Sequence, residues 1–259
     1  YKTRRTRVME AMPQGSLALF FSGKAPVRSL DETYPFSVNR NFYYLTGLDR
    51  ESMTLALIKN GDSVQSVLFI EPFDPEQARW VGGRMKPEEA QQQADVDAVY
   101  PNAEMLDFIH RQMKLNRGNR RMGVGLDLAK ESWDEPDDPA YRFASHVRQH
   151  YPSVDLINVH AFLAQLRMIK DEDELNLMRQ AQEATITAVK VMMRHCAPGI
   201  NETELEGVFD FALMKQGVRE HAFPTICASG ANATTLHYSR NDEVIEDGSL
   251  VLCDLGGAV

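Results

Sequence analysis

Apolar runs separated by turn-forming residues set the first expectations. Residues 16–22 form such a run, closed by Gly23 and short enough for a buried strand. Residues 53–58 and 64–70 are two more, joined across Asn60-Gly61, a dipeptide that tolerates the positive φ of a tight hairpin. Residues 96–100 and 122–126 are shorter strand candidates. Segments 75–80 and 87–94 each begin at a proline and read as helical, and Met105, Phe108, Ile109 and Met113 recur at helical spacing within 103–115. Strands alternating with helices predict an α/β layer structure for about the first 160 residues.

The texture changes near Lys170. Asp171 and Glu174 have the spacing of a reciprocal helix cap, and the acidic run 171–174 suits the positive end of a helix dipole. Leu177, Ala181, Ala184, Ala188 and Val191 then recur on one helical face until Pro198-Gly199 stops the helix. Asn201 and Glu204 repeat the capping spacing, and a second helix runs to about Gln216 ahead of Gly217. Beyond Arg219 come short strand candidates: 225–228, the alternating segment 234–238, and 250–253, which ends on Asp254. Two helices followed by a strand meander differ in kind from what precedes them. The pattern therefore places a domain boundary near residues 160–170, between an α/β part and a second part of different architecture.

Composition narrows the class. The 259 residues are 43% hydrophobic and 25% charged, as in soluble globular chains. A net charge of −9 and a pI near 5.3 argue against an electrostatic grip on nucleic acid or an anionic membrane. No apolar run approaches the roughly 20 residues of a membrane-spanning helix. Cys196, Cys227 and Cys253 lack the spacing of a zinc cluster or a disulfide framework and read as buried free thiols in a reducing compartment. The basic segment 1–7 has no apolar signal core after it, so the cytoplasm is the expected location. The glycosylation patterns at Asn201 and Asn232 mean little without such a signal.

Two side chains near the end of the sequence stand out chemically. Asp254 leaves an apolar strand just before Gly256-Gly257 and is expected to be partly buried, where a carboxylate must be paired, hydrogen-bonded or metal-bound. Its structural alternative is an aspartate that only caps a strand-end turn. His237 lies in the alternating segment, where a lone histidine is more often a packed strand residue than a catalyst. His195 suits the negative end of a helix dipole, and His221 is uninformative alone. Gly123-Val124-Gly125 lacks the third glycine of a dinucleotide fingerprint. Arg117, Arg120 and Arg121 read as a solvated turn, and the acidic stretch 131–139, with two prolines, as a surface loop. Ser229-Gly230 is no nucleophile elbow, and neither a zincin helix nor a phosphate-binding glycine loop is present.

Residues 223–238, FPTICASGANATTLHY, followed by 247–256, DGSLVLCDLG, resemble the pita-bread metallopeptidases, above all the Xaa-Pro aminopeptidase (aminopeptidase P) family, with prolidase next. Arg167-Met-Ile-Lys170 with Glu174 resembles that family's entry into its catalytic domain. Tyr34-Pro35-Phe36, NFYYLTG at 41–47 and WVGGR at 80–84 resemble its creatinase/prolidase-like N-terminal domain. The resemblance implies that domain, α/β with a mixed sheet flanked by helices, over 1–165, then the first half of an α+β pita-bread domain over 166–259. It implies removal of an N-terminal residue that precedes proline, by two divalent ions, commonly manganese, held by two aspartates, a histidine and two glutamates. Such a pair polarises a carbonyl and supplies hydroxide near neutral pH, and oxygen-rich ligation suits Mn²⁺. Asp254 falls on the first aspartate ligand, His237 on a substrate-site histidine and Phe223 on an aromatic residue near the metals. The other four ligands lie further along in the family, beyond Val259. A lone carboxylate does not hold two metals, so the 259-residue chain by itself is expected to be inactive. Expected partners are peptides with proline second and further copies of the chain, with no nucleic acid or membrane. Trp80 and Arg84, beside Arg79, are interface candidates. The alternatives are a prolidase restricted to dipeptides, a metal-free creatinase-like hydrolase, and a non-catalytic peptide- or protein-binding scaffold.

Overall fold

The structure, a computed structural model, describes residues 1–83, 85–115, 122–130, 132–136 and 138–259. It divides into two compact units, Tyr1–Ile169 and Lys170–Val259. The first unit runs α1 (Lys2–Glu10), β1 (Leu17–Phe21), β2 (Val27–Ser29), β3 (Glu32–Thr33), α2 (Arg40–Thr46), β4 (Thr54–Asn60), β5 (Ser63–Ile70), α3 (Pro75–Val81), α4 (Pro87–Ala94), β6 (Ala98–Pro101), α5 (Met105–Leu115), β7 (Gly123–Leu126), α6 (Pro139–His150), β8 (Asp155–Asn158) and α7 (His160–Met168). The second runs α8 (Glu172–His195), α9 (Glu202–Met214), β9 (Glu220–His221), β10 (Ile226–Ser229), β11 (Val251–Asp254) and β12 (Gly257–Ala258).

The first unit is built on a six-stranded mixed sheet in the order β6-β5-β4-β1-β7-β8. β4 is antiparallel to β1 and β5, whereas β1–β7, β7–β8 and β5–β6 are parallel. Both faces are covered, which is why the central strands read as unbroken apolar runs rather than alternating ones. Ala18, Phe20, Leu55, Leu57 and Leu68 pack on one face with α1, α2 and α4 residues such as Val8, Phe42 and Ala90. Leu17, Leu19, Ile58 and Phe69 pack on the other with Ile109, Phe143 and Val147 of α5 and α6. The hairpin differs by one residue from the expectation. Asn60 pairs with Ser63, so the loop is Gly61-Asp62, and of those two Gly61 carries the positive φ, 62°, as when glycine leads a type II′ turn.

Gly123 and Gly125 lie inside β7, between β1 and β8. A Cβ on Gly123 would come 2.5 Å from Ile157 Cδ1, and one on Gly125 2.9 Å from Met12 Cε. These glycines make room for Ile157 of the adjacent strand β8 and for Met12 beyond α1, and form no nucleotide loop. Four helices of this unit, α1, α2, α6 and α7, were not legible from pattern. α6 starts at Pro139 behind Asp138, which accepts from the Tyr141 amide, and buries Ala140, Phe143, Ala144 and Val147. The loop expected over 131–139 lies partly outside the described residues, as Arg117, Arg120 and Arg121 do entirely. α1 is dominated by polar residues and buries Arg5, Val8 and Met9.

Arg5 explains how so polar a helix is held. Its guanidinium donates to the carbonyl oxygens of Leu45 (2.9 Å), Ala94 (2.8 Å) and Asp95, near the C-termini of α2 and α4. Those carbonyls have no intrahelical partner, and a cation there also meets the negative dipole ends. We predict that Arg5→Ala, which strands these acceptors and leaves a cavity, destabilises the first unit by about 3 kcal/mol. A urea midpoint equal to that of the parent chain would contradict this.

In the second unit, α8 and α9 pack through Ala184, Ala188 and Met192 against Leu205, Phe209 and Leu213. The reciprocal cap at Asp171 and Glu174 is present, with both hydrogen bonds at 3.0 Å. The expected apolar stripe is only half right, because Leu177 and Val191 are exposed. Gln216, just past α9, bonds the Ala184 carbonyl, so the turns of α8 before Ala184 extend beyond α9. At α9, Asn201 accepts from the Thr203 amide, but Glu204 does not complete a box. Its carboxylate is 2.8 Å from His195 Nε2, at the end of α8.

Candidate active site

β10 and β11 form an antiparallel ladder that pairs Ile226 with Asp254, Cys227 with Cys253, Ala228 with Leu252 and Ser229 with Val251. Asp254 is the last residue of β11. Beyond it, β12 pairs with β9 through Gly257 and His221, and the Ala222 amide donates to the Gly256 carbonyl at 2.8 Å. A Cβ on Gly256 would lie 3.7 Å from the Phe223 ring. The fold therefore brings Phe223 beside the strand end that carries Asp254, although 31 positions separate them.

Three expectations are corrected. Asp254 is exposed, not partly buried, because among the described residues β11 pairs only with β10, in a two-stranded ladder, and its end is not enclosed within the unit. The cysteines are not uniformly buried: Cys227 is, Cys196 is half-buried and Cys253, opposite Cys227, is exposed. His237 is not in a strand. Residues Gly230–Thr234 form a 3₁₀ turn, and His237 follows in irregular backbone, exposed, with φ 54°. A non-glycine residue in that region is uncommon and marks a conformation held by its surroundings.

What holds the loop is the first turn of α9. Glu202 is fully buried. Its Oε1 accepts from the Ser229 amide (2.6 Å) and hydroxyl (2.7 Å), and its Oε2 from the Tyr238 hydroxyl (2.8 Å) and the Glu243 amide (3.1 Å). The Glu202 amide donates to the Glu243 carbonyl at 2.9 Å. Thr203 donates its hydroxyl to the Asn241 carbonyl, and buried Asn241 binds the Cys227 amide, the Thr225 carbonyl and Glu206. Burial opposes ionisation of Glu202, but the bonds from Ser229, Glu243 and Tyr238 outweigh it and hold its pKa below the ordinary glutamate value. Burial and the bond to Glu202 push the Tyr238 hydroxyl up to about 12, so it stays a donor at neutral pH. In sequence Glu202 is simply one more acidic residue in a first helical turn. Its partners lie 27 to 41 positions away, and no local signal marks it.

Comparison with known proteins gives this geometry a context. Residues 1–120 match the aminopeptidase P N-terminal domain, and residues 176–259 match metallopeptidase family M24. The chain belongs to the aminopeptidase P family. It is 29% identical to the Xaa-Pro aminopeptidase of Escherichia coli over 99% of its own length and 58% of that protein's. It is 30% identical to the Haemophilus influenzae enzyme over 99% of its length and 56% of that one's. Among solved structures, a Bacillus anthracis protein described as an aminopeptidase P matches with a TM-score of 0.93 and 36% identity, over 99% of this chain and 61% of that one. The low-pH form of E. coli aminopeptidase P matches with a TM-score of 0.85 and 29% identity, over 98% and 58%. This aminopeptidase P family chain thus spans somewhat more than half the length of these relatives. The architecture expected from resemblance, a mixed-sheet N-terminal domain followed by part of a pita-bread domain, is the one observed.

Membership of M24 implies divalent metal, which tests the donors at hand. Among the described residues no group of three His, Cys, Asp or Glu side chains converges as a metal site. Asp254 stands exposed at its strand end. One such carboxylate does not meet the needs of a dinuclear centre, which takes ligands from several strands, so these residues do not fit the metal pair by themselves.

The depressed pKa of Glu202 carries a sign. A carboxyl whose folded pKa lies below its unfolded value adds stability that is complete above the ordinary value of 4.5 and is lost as pH falls through the folded value. Glu202→Gln is expected to destabilise the second unit at pH 7 by about 2–4 kcal/mol. The gap to the parent should close on acidification below pH 4.5. Thermal midpoints measured against pH for both chains check this, and a gap that stays constant into acid would refute it.

Proposed function

We propose that this chain is part of an Xaa-Pro aminopeptidase that hydrolyses the bond between an N-terminal residue and a following proline. The observation that carries the reading is the order of the two family matches along one chain, N-terminal domain before M24. Relatives named Xaa-Pro aminopeptidase align over 99% of it. The proposed metals are two manganese ions, which would supply an activated water and Lewis acidity at the scissile carbonyl. Asp254 is the ligand contributed by these residues, and ligands outside them complete the centre. Phe223, beside the strand end, lines the pocket. His237 contacts the peptide near the scissile bond, and its exposure leaves the imidazole accessible.

The test is Mn²⁺-dependent release of the first residue from Xaa-Pro peptides. The intact protein is expected to turn over tripeptides and longer substrates, and the 259-residue chain alone is expected to be inert. Asp254→Ala in the intact protein is expected to lose more than the roughly 10–100-fold that follows loss of a residue merely supporting a ligand. Cleavage confined to dipeptides would make the protein a prolidase. Failure of the intact protein to bind Mn²⁺ or cleave any Xaa-Pro peptide would favour a binding scaffold.

The oligomer is proposed on narrower ground. Trp80, in the last turn of α3, is 88% exposed, and large aromatics are enriched at interfaces. Arg84 lies outside the described residues. Trp80→Ala is expected to reduce the assembly size seen by sedimentation. Unchanged size together with unchanged peptide KM would remove Trp80 from the interface.

A further inference from the structure

The loop from Ser229 to Glu243 carries His237, yet it contains one 3₁₀ turn and no strand of its own. Its conformation is held from outside: Asn201, Thr203 and Glu206 bond its far end at Asn241 and Asp242, and one carboxylate, that of Glu202, reaches both ends. Glu202 Oε1 grips the start of the loop through both donors of Ser229, with a weaker contact to Asn232 Nδ2 at 3.5 Å. Oε2 grips the far side through Tyr238, the residue after His237, and through the Glu243 amide. Asn232 Nδ2 also donates to the Tyr238 hydroxyl at 3.1 Å, tying the two sides of the loop together. A carboxylate offers acceptors only, so each oxygen requires donors facing it. Glutamine in the same place would turn an N–H toward one pair of those donors.

We propose that Glu202 is a positioning residue. By clamping both sides of the 229–243 loop to the first turn of α9, it sets where the His237 imidazole stands toward the peptide. The proposal rests on the reading of His237 as a substrate contact, and the test separates the two. In the manganese-loaded intact protein, His237→Ala probes that reading alone. Glu202→Gln is expected to lower kcat/KM on the order of 10–100-fold, as a misplaced group does. It should act through kcat as well as KM and leave bound manganese at the parental level. Because the effect runs through His237, adding Glu202→Gln to His237→Ala should cost nothing further.

Amide hydrogen exchange gives a readout independent of activity: the Ser229 and Glu243 amides should lose more protection in Glu202→Gln than the α8–α9 core, whose protection falls only with the global stability. Additive losses in the double variant, or unchanged exchange at both amides, would overturn the positioning role. Parental kcat/KM in His237→Ala would overturn the reading of His237, and with it this role. Should Glu202→Gln not fold, Tyr238→Phe removes one donor and leaves the others. A smaller loss, again absent in the His237→Ala background, supports the proposal, and an additive one refutes it.

Discussion

Each unit depends on one buried charged side chain that satisfies main-chain groups its helices and strands leave open. Backbone N–H and C=O groups out of contact with water must be paired. Arg5 supplies donors to three carbonyls at the ends of α2 and α4. Glu202 supplies acceptors to two amides that begin and end an irregular loop. The charges are opposite because the open groups are opposite. Both side chains are covered, so breaking either pairing leaves groups that water cannot readily rescue.

This requirement shapes the candidate site. Asp254 is positioned by ladder pairing, in which register follows from strand geometry and neighbouring residues move together, and Phe223 lies in the bend that joins β9 to β10. His237 is positioned differently, at a left-handed φ within a loop held by side chains. The site thus combines a rigid part, the end of the β10–β11 ladder, with a part whose geometry depends on the pairing of Glu202. Such a division suits a centre in which ligands must be fixed while a substrate contact is adjusted separately.

The same contrast governs what could be read in advance. Asp171 and Glu174 cap α8 as their spacing suggests, since all the atoms involved lie within one turn. Asn201 and Glu204 have equal spacing, yet His195 takes the Glu204 carboxylate, and only the packing of α8 on α9 brings it there. The buried strands of the first unit were legible because both faces of its sheet are covered, which leaves unbroken apolar runs. α1 was not, because its inward face contains an arginine. The segment containing His237 alternates like a strand, but the hydrogen bonds that decide its shape come from α9.

The sequence by itself determined the layered α/β character of the first unit, the helix pair that opens the second and, through its motifs, the family. Those features rest on local periodicity, capping and motif, which chain neighbours settle among themselves. Only the tertiary structure decided that Gly123 and Gly125 are packing residues, that Asp254 is exposed, that Phe223 lies beside its strand, and that Glu202 holds the His237 loop. Each of these depends on which distant groups meet once the apolar faces are buried, and on the demand that every polar group buried with them find a partner.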